Sequence, residues 1–240
     1  MGKKVDKISI ITVDPYIPRI YKYAKGSFNQ LKSIKASKND FIIGYVANKD
    51  LIIETLDIGA NIPPEDVADA IENKAYEELK LDPAIEYNIT FTRAYGEGGN
   101  LYQVFISDKN SLAKLYSPIK KRVSFIDVVA PAPLLFEILY KDTTIPVGNI
   151  DLFIIFGEYD TFLTFYKGGK YLYSKSIPYS LDDLYYRFCE LAGEAIVKKD
   201  EFKKILSTEG LKVDNDRYKE LLVKIFNECF LSINDVLIYT

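Results

Sequence analysis

The chain has no histidine and two cysteines, Cys189 and Cys229, so any chemistry must rest on carboxylates, lysines and hydroxyls. Nucleophiles of the Ser-His-Asp and Cys-His kinds are excluded, and no zinc site can be assembled. Carboxylates are plentiful, 34 in all, but none stands at a spacing that sets a general acid against a general base. No catalytic residue and no metal ligand is therefore assigned. Two glycine-rich strings, GEGGN at 96–100 and KGGK at 167–170, have the composition of phosphate loops. A phosphate loop works because a helix begins immediately after it and aims its backbone N–H groups at the anion. Neither string precedes a helix pattern, so both are hairpin turns. Lysines cluster at Lys22, Lys25, Lys32, Lys35 and Lys38, and again at Lys114, Lys120, Lys121 and Arg122. The net charge is −3, without the basic excess of a nucleic-acid binder, so these read as solvated faces and no direct nucleic-acid contact is expected.

The elements that would position any site are dominated by a repeat. Residues 150–177, IDLFIIFGEYDTFLTFYKGGKYLYSKSI, give three β-rich runs separated by a polar break and by Gly168-Gly169. That is the pattern of an antiparallel three-stranded meander. The same plan occurs 143 positions earlier in KISIITVDPYIPRIYKYAKGSFNQLKSI. Without a gap the two stretches match Ile11 with Ile154, Tyr16 with Tyr159, Tyr23 with Tyr166 and Gly26 with Gly169. Lys32, Ser33 and Ile34 likewise match Lys175, Ser176 and Ile177. The expectation is a fold of two halves, each opened by the same meander.

Between the meanders, Phe41 to Val46 and Leu51 to Ile58 read as strands joined at Asn48-Lys49-Asp50. Pro63 and Pro64, followed by Glu65 and Asp66, start a helix whose apolar face is Val67, Ile71, Ala75 and Leu79. A hairpin (Tyr87 to Arg93, Leu101 to Ser107), a helix (Leu112 to Lys121), a strand (Val123 to Val129) and a short helix (Pro133 to Tyr140) follow. The stretch from Phe41 to about Tyr140 is expected to form a small α+β lobe, with Val67, Ile71, Leu79, Leu112 and Leu115 buried against its sheet. After the second meander, Ser180 with Asp183 makes a capping-box start. Leu181, Leu184, Phe188, Leu191 and Ala195 form the buried stripe of that helix, and a last helix turns Tyr218, Leu221, Leu222, Ile225 and Cys229 inward. Both cysteines fall on apolar helix faces, as reduced core thiols do. No apolar run approaches the roughly 20 residues that span a bilayer, and no signal-peptide core precedes Asp14. A cytoplasmic location is expected.

The order of these elements resembles the type IV pilus assembly protein PilM, with the cell-division protein FtsA and the cytoplasmic part of the type II secretion protein GspL as wider relatives. The resemblance runs through Phe41 to Leu79, through NLYQVFISDKNSLAKLYSPIKKRVSFIDVVAPAPLLFEIL and through DLFIIFGEYDTFLTFYKGGKYLYSKSIPYSLDDL. It implies a mixed α/β, actin-like (RNase H-like) duplicated fold with an inserted small α+β subdomain and a second lobe truncated at its C-terminal end. Residues 1–40 would be the first meander of lobe I, 41–141 the inserted subdomain with the return to lobe I, and 142–240 the incomplete second lobe.

Nucleotide-binding relatives place a phosphate loop in the first turn of each meander, where close backbone approach and an acidic residue for magnesium are needed. By resemblance the residues at these places are Asp14, Gly157 and Thr161. The first turn, VDPYIPR, keeps Asp14, but Pro15 has no N–H to give. The second, FGEYDT, keeps Gly157 and Thr161, but Phe156 stands where an aspartate is usual, and Glu158 and Asp160 would repel a phosphate unless a metal intervened. The adenine-side Gly-Gly loop should come after the last helix. The expectation is a degenerate site without ATP hydrolysis, with neither ATP nor magnesium as cofactor. The alternative is an actin-like ATP-binding protein with ATPase or kinase activity.

The resemblance further implies a scaffold of a type IV pilus, type II secretion or DNA-uptake platform, peripheral at the cytoplasmic face of the inner membrane. Its partners would be the cytoplasmic tail of a PilN-like membrane protein and the assembly ATPase, and a homodimer is allowed for. The tail would lie in a groove between the inserted subdomain and the first meander's sheet, lined by apolar and aromatic residues with lysines at the rim.

Overall fold

The computed structural model describes residues 9–24, 27–33, 40–94, 100–123, 125–141, 145–193, 198–206 and 216–238. The chain divides into two compact units, Met1–Asp151 with Phe165–Tyr173, and Leu152–Thr164 with Ser174–Thr240.

The first unit opens on the expected meander, β1 (Ser9–Asp14), β2 (Arg19–Ala24) and β3 (Ser27–Leu31). On the other side of β1, β4 (Asp40–Val46) adds in parallel, with Ile11 beside Ile42. After β5 (Ile52–Asp57), α1 (Val67–Leu79), β6 (Tyr87–Arg93), β7 (Leu101–Asp108) and α2 (Lys109–Lys120), the chain returns as β8 (Val128–Pro131), parallel to β4. The large sheet thus runs β3-β2-β1-β4-β8, an antiparallel meander continued by two parallel strands. One face is sealed by α2: Tyr116, Ile119 and Val123 join Ile11, Val13, Ile20 and Ile42 in one core, with Leu112 and Leu115 packed against it. The spacing of Leu112, Leu115, Tyr116 and Ile119 puts all four on one helix face. The Asp108 side chain caps the helix by accepting from Asn110 N. Gly44 makes the close approach possible, because a Cβ there would overlap the Tyr116 ring, whose hydroxyl donates to Tyr45 O at 2.7 Å.

The remaining strands form the inserted sheet, β5-β7-β6, wholly antiparallel. Alternation along these strands sends Leu56, Val104 and Ile106 to one face, where Ile71, Ala75 and Leu81 close the core and Val67 and Leu79 pack at its margin.

Two expectations are corrected here. Phe41 to Val46 belongs to the large sheet, not to the small lobe, and Leu112 and Leu115 on α2 pack against the large sheet, not the inserted one. A short apolar run fixes that a strand exists but carries no mark of its partner. Arg122 is also no solvated cation. Its guanidinium donates to Lys32 O (2.6 Å), Pro18 O (2.7 Å) and Leu31 O (3.1 Å), tying the β1–β2 turn to the end of β3.

The strand expected from Val123 begins only at Val128. Val123 instead fills the core under α2, and Asp127 brackets β4, its carboxylate accepting from Ile42 N at 2.7 Å. The helix expected over Pro133 to Tyr140 is split into a 3-10 turn (Ala132–Leu134) and α3 (Glu137–Lys141).

The second meander is β9 (Ile150–Phe156), β10 (Thr161–Lys167) and β11 (Lys170–Ile177), in the order β11-β10-β9. Shifted by the 143-residue offset, β1, β2 and β3 fall at 152–157, 162–167 and 170–174, so the three strands coincide in order and place. Gly168 and Gly169 have φ of 58° and 75°, the left-handed pair that a two-residue type I′ turn requires. Gly26, the matching glycine, lies outside the described residues. The tip of this hairpin belongs to the first unit: Tyr166 donates to Pro133 O, Tyr171 N donates to Glu137 (3.1 Å), and the Tyr171 ring stands 5.2 Å from Phe105.

In the second unit, α4 (Leu181–Ala192) starts on the expected capping box, Asp183 N donating to Ser180 Oγ (3.1 Å) and Ser180 N to Asp183 Oδ2 (2.8 Å). It packs Leu184, Phe188 and Ala192 inward, while Ala195 lies outside the described residues. After α5 (Lys199–Lys204), α6 (Asp216–Ile238) turns in Leu222, Ile225, Cys229 and Ile233. Phe188 meets both Phe202 and Tyr218 at 5.2 Å, and Arg187 holds Glu228 through two bonds of 3.1 and 3.2 Å. No helix among the described residues is long and apolar enough to cross a membrane.

Candidate functional site: two occupied turns and a groove

The three residues singled out by resemblance fall in two places. Asp14 ends β1 in the first unit, and Gly157 and Thr161 flank the β9–β10 turn in the second.

At the first turn, Asp14 Oδ1 accepts from Tyr16 N (3.0 Å) and Ile17 N (3.2 Å), and from the Tyr45 hydroxyl (3.1 Å). It is the cap of its own turn. Tyr16 then folds back over the end of β4. Its hydroxyl donates to Asp50 (2.6 Å) and accepts from Ala47 N (2.7 Å), its ring lies 5.5 Å from Tyr45, and Lys49 Nζ stands 5.4 Å from the ring centre. Burial, with the Asp50 carboxylate as acceptor, pushes the Tyr16 phenol well above its ordinary value, so it stays protonated. The amides of Tyr16, Ile17 and Ala47, which could have faced an anion, each donate to a side chain of the protein itself.

At the second turn, Gly157 N donates to Asp160 O at 2.7 Å, and a Cβ on Gly157 would run into the Asp160 backbone, which is why glycine stands there. Gly157 O and Glu158 O accept from Leu181 N and Asp182 N, binding the turn to the start of α4. Glu158, expected to repel a phosphate unless a metal intervened, is held by α5, accepting from Lys203 (2.8 Å) and pairing with Lys199 (3.2 Å), which also pairs with Asp182 (2.5 Å). Thr161 is fully buried, and its hydroxyl has no hydrogen-bond partner among the described residues. No group of metal-ligating side chains occurs among the described residues.

This network titrates. The Lys203 hydrogen bond, opposed by burial and aided by Lys199, holds the Glu158 carboxyl below the usual carboxylate range. A depressed folded-state pKa contributes stability that is present above the unfolded value, about 4.3, and is lost as pH falls through the lower folded one. Glu158→Gln is therefore expected to cost on the order of 1 kcal/mol near neutrality, because the lysines are partly solvated, and nothing once the carboxyl is protonated. Urea midpoints at neutral and acid pH check it. An equal loss at both would contradict the assignment.

The groove lies wholly in the first unit, between the end of the large sheet and the face of the inserted sheet that α1 does not cover. It encloses about 310 Å³. Val46 of β4 with Val129 and Pro131 of β8 form one wall, Phe105 and Leu112 lie in its floor, and Asn88, Thr90 and Ser107 present polar groups. Strand alternation explains the polarity: Ile89, Phe91, Val104 and Ile106 are claimed by the α1 core, leaving Asn88, Thr90, Phe105 and Ser107 on the opposite face. Apolar residues come from β4, β8, the inserted sheet and α2, and none from the first meander, whose sheet was expected to form one side. Its polar lining is Asn88, Thr90, Ser107 and the Asp127 carboxylate, where lysines were expected at the rim. A larger cavity, about 530 Å³ at the start of α1, is lined by Asn61, Pro64, Phe91, Arg93 and Tyr102 among others.

The sequence matches no known family model and no curated protein. By structure, the chain is similar to one in a PilM-PilN type IV pilus biogenesis complex, with a TM-score of 0.62 at 11% identity, over 98% of this chain and 79% of that one. Taken with the strand order β3-β2-β1-β4-β8 and the second meander, this decides the architecture. The fold is actin-like. More distant likenesses are the cytoplasmic domain of EpsL, an inner-membrane component of the type II secretion system of Vibrio cholerae (TM-score 0.44, 14% identity, 77% and 75% coverage), and a Bacteroides thetaiotaomicron protein with an actin-like ATPase fold and unknown function (0.40, 12%, 93% and 99%).

Proposed function

We propose that this chain is a non-catalytic scaffold that holds the cytoplasmic tail of an inner-membrane assembly protein in the groove between its large and inserted sheets. The observation that carries the reading is the groove itself: an apolar floor with convergent amides and hydroxyls at its margin suits an extended peptide, whose backbone needs polar partners and whose side chains need pockets. The shared fold with a chain of the PilM-PilN complex supports a PilN-like tail as the ligand. The setting would be the cytoplasmic face of the inner membrane, in a pilus, secretion or DNA-uptake platform and beside its assembly ATPase. A tail disordered when free must be ordered on binding, which holds affinity to the order of micromolar.

The two turns support the non-catalytic half of the proposal. Phosphoryl transfer needs backbone donors aimed at the phosphates and a placed carboxylate. Here the donors of the first turn are taken by Asp14 and Tyr16, and Glu158 in the second is taken by Lys199 and Lys203. Magnesium-dependent ATP turnover is expected to stay at background. Robust turnover abolished by Asp14→Ala would establish the enzyme instead. The scaffold is tested by calorimetric titration with synthetic cytoplasmic tails of inner-membrane assembly proteins. If no tail binds, and the protein stays in the soluble fraction when those proteins are co-expressed, the scaffold reading fails.

A further inference from the structure

The groove holds one charge that the fold does not account for. Among the described residues that line it there is neither lysine nor arginine, in a chain that has 31 of them, and its one carboxylate is Asp127. Asp127 immediately precedes β8, and strand alternation puts it on the same side as Val129 and Pro131, so it continues the apolar wall. Its Oδ2 accepts from Ile42 N at 2.7 Å. Among the described residues it forms no salt bridge, and its Oδ1 accepts no hydrogen bond. Holding Ile42 N needs only an acceptor oxygen, which an asparagine would supply. The negative charge is left over. An adjoining recess of about 60 Å³ shares Val46, Ser107 and Leu112 with the groove and adds Asp50 and Asp108. Both of these are engaged by their own chain, Asp50 by the Tyr16 hydroxyl (2.6 Å) and Asp108 by Asn110 N (2.7 Å) and the Ser111 hydroxyl (2.8 Å).

We infer that Asp127 sets the specificity of the groove, selecting a tail that brings a lysine or arginine side chain against its carboxylate. The inference rests on the reading of the groove as a peptide site and names the chemistry of that peptide. A peptide laid in the groove displaces water from the carboxylate, which costs free energy unless the peptide supplies a cation in its place. An acidic side chain at the same position would face Asp127, with Asp50 and Asp108 beyond it, and be rejected. Tails of inner-membrane proteins meet this demand, because cytoplasmic segments flanking a membrane span carry an excess of lysine and arginine.

Calorimetric titration of wild type, Asp127→Asn and Thr90→Arg tests it, using synthetic cytoplasmic tails of inner-membrane assembly proteins. Each tail is also made with its lysines and arginines replaced by glutamine. Asp127→Asn keeps an acceptor for Ile42 N, so its melting temperature should match wild type. Its affinity for the native tail should fall about fivefold. For the glutamine tail, wild type should keep no advantage over Asp127→Asn, because the pair is absent from both. Glu72→Gln removes a like charge from an exposed site on α1 outside the groove and should leave affinity unchanged. If Asp127→Asn binds the native tail as tightly as wild type while Thr90→Arg does not, the inference is overturned and the groove stands. An equal loss for native and glutamine tails in Asp127→Asn overturns it too, since shape and not charge would then be at work. A wild type that binds no tail removes the groove reading and this inference with it.

Discussion

Replacing Ile71 by alanine is expected to remove about 2–5 kcal/mol from the stability of the first unit. Ile71 is fully buried in the middle of α1, between Leu56 of β5, Val104 and Ile106 of β7, and Ala75 and Leu81. Truncation deletes three carbons and leaves a cavity that β5 and β7 cannot collapse, since each is hydrogen-bonded in fixed register, Leu56 opposite Tyr102 and Ile53 opposite Phe105. Most of the inserted module's buried apolar surface faces this one helix, so no second core makes up the loss. Urea unfolding of wild type and variant measures it, with Glu72→Ala, exposed one residue further on, as a control expected within about 0.5 kcal/mol. A chain with two units can unfold in two transitions, and the shift should appear in the transition that carries the inserted module. A cost below about 1 kcal/mol would mean that α1 is not seated on the sheet.

How much of this was legible in the sequence depended on range. The second meander is written locally: Gly168-Gly169 between β-rich runs needs no distant partner to specify a type I′ hairpin, and Ser180 with Asp183 specifies a helix start in four residues. The repeat carried the strand order from one half to the other. What failed was long-range. Nothing in FIIGYV says that it lies parallel to β1, because its period is satisfied by any sheet, and nothing around Arg122 says that three carbonyls from Pro18, Leu31 and Lys32 converge on it. The role of Asp14 was within reach. An aspartate before proline at the head of a turn accepts from amides two and three residues on, and that local signal competes with the metal-side role suggested by resemblance. The partners of Tyr16 (Ala47, Asp50) become its neighbours only when β4 pairs with β1, and the polar groups of the groove (Asn88, Thr90, Ser107) meet β4 and β8 only when the inserted sheet folds against their ends.

The groove reading leads to the second large effect. Thr90 is exposed, points to the face of β6 that α1 leaves open, and lies in the groove without joining either core. Thr90→Arg fills the space with a long cation while removing no buried contact, so the fold is expected to keep its melting temperature within a degree or two. A groove of about 310 Å³ has little room for both that side chain and a peptide. Loss of binding by tenfold or more, about 1.4 kcal/mol, is the expected size.

The decisive measurement is a calorimetric titration of wild type and Thr90→Arg, side by side, with the cytoplasmic tail of an inner-membrane assembly protein. Binding of wild type on the order of micromolar, lost at least tenfold in Thr90→Arg while circular dichroism and melting stay the same, is what the account predicts. Equal affinity for the two proteins, or no binding by wild type to any such tail, would contradict it.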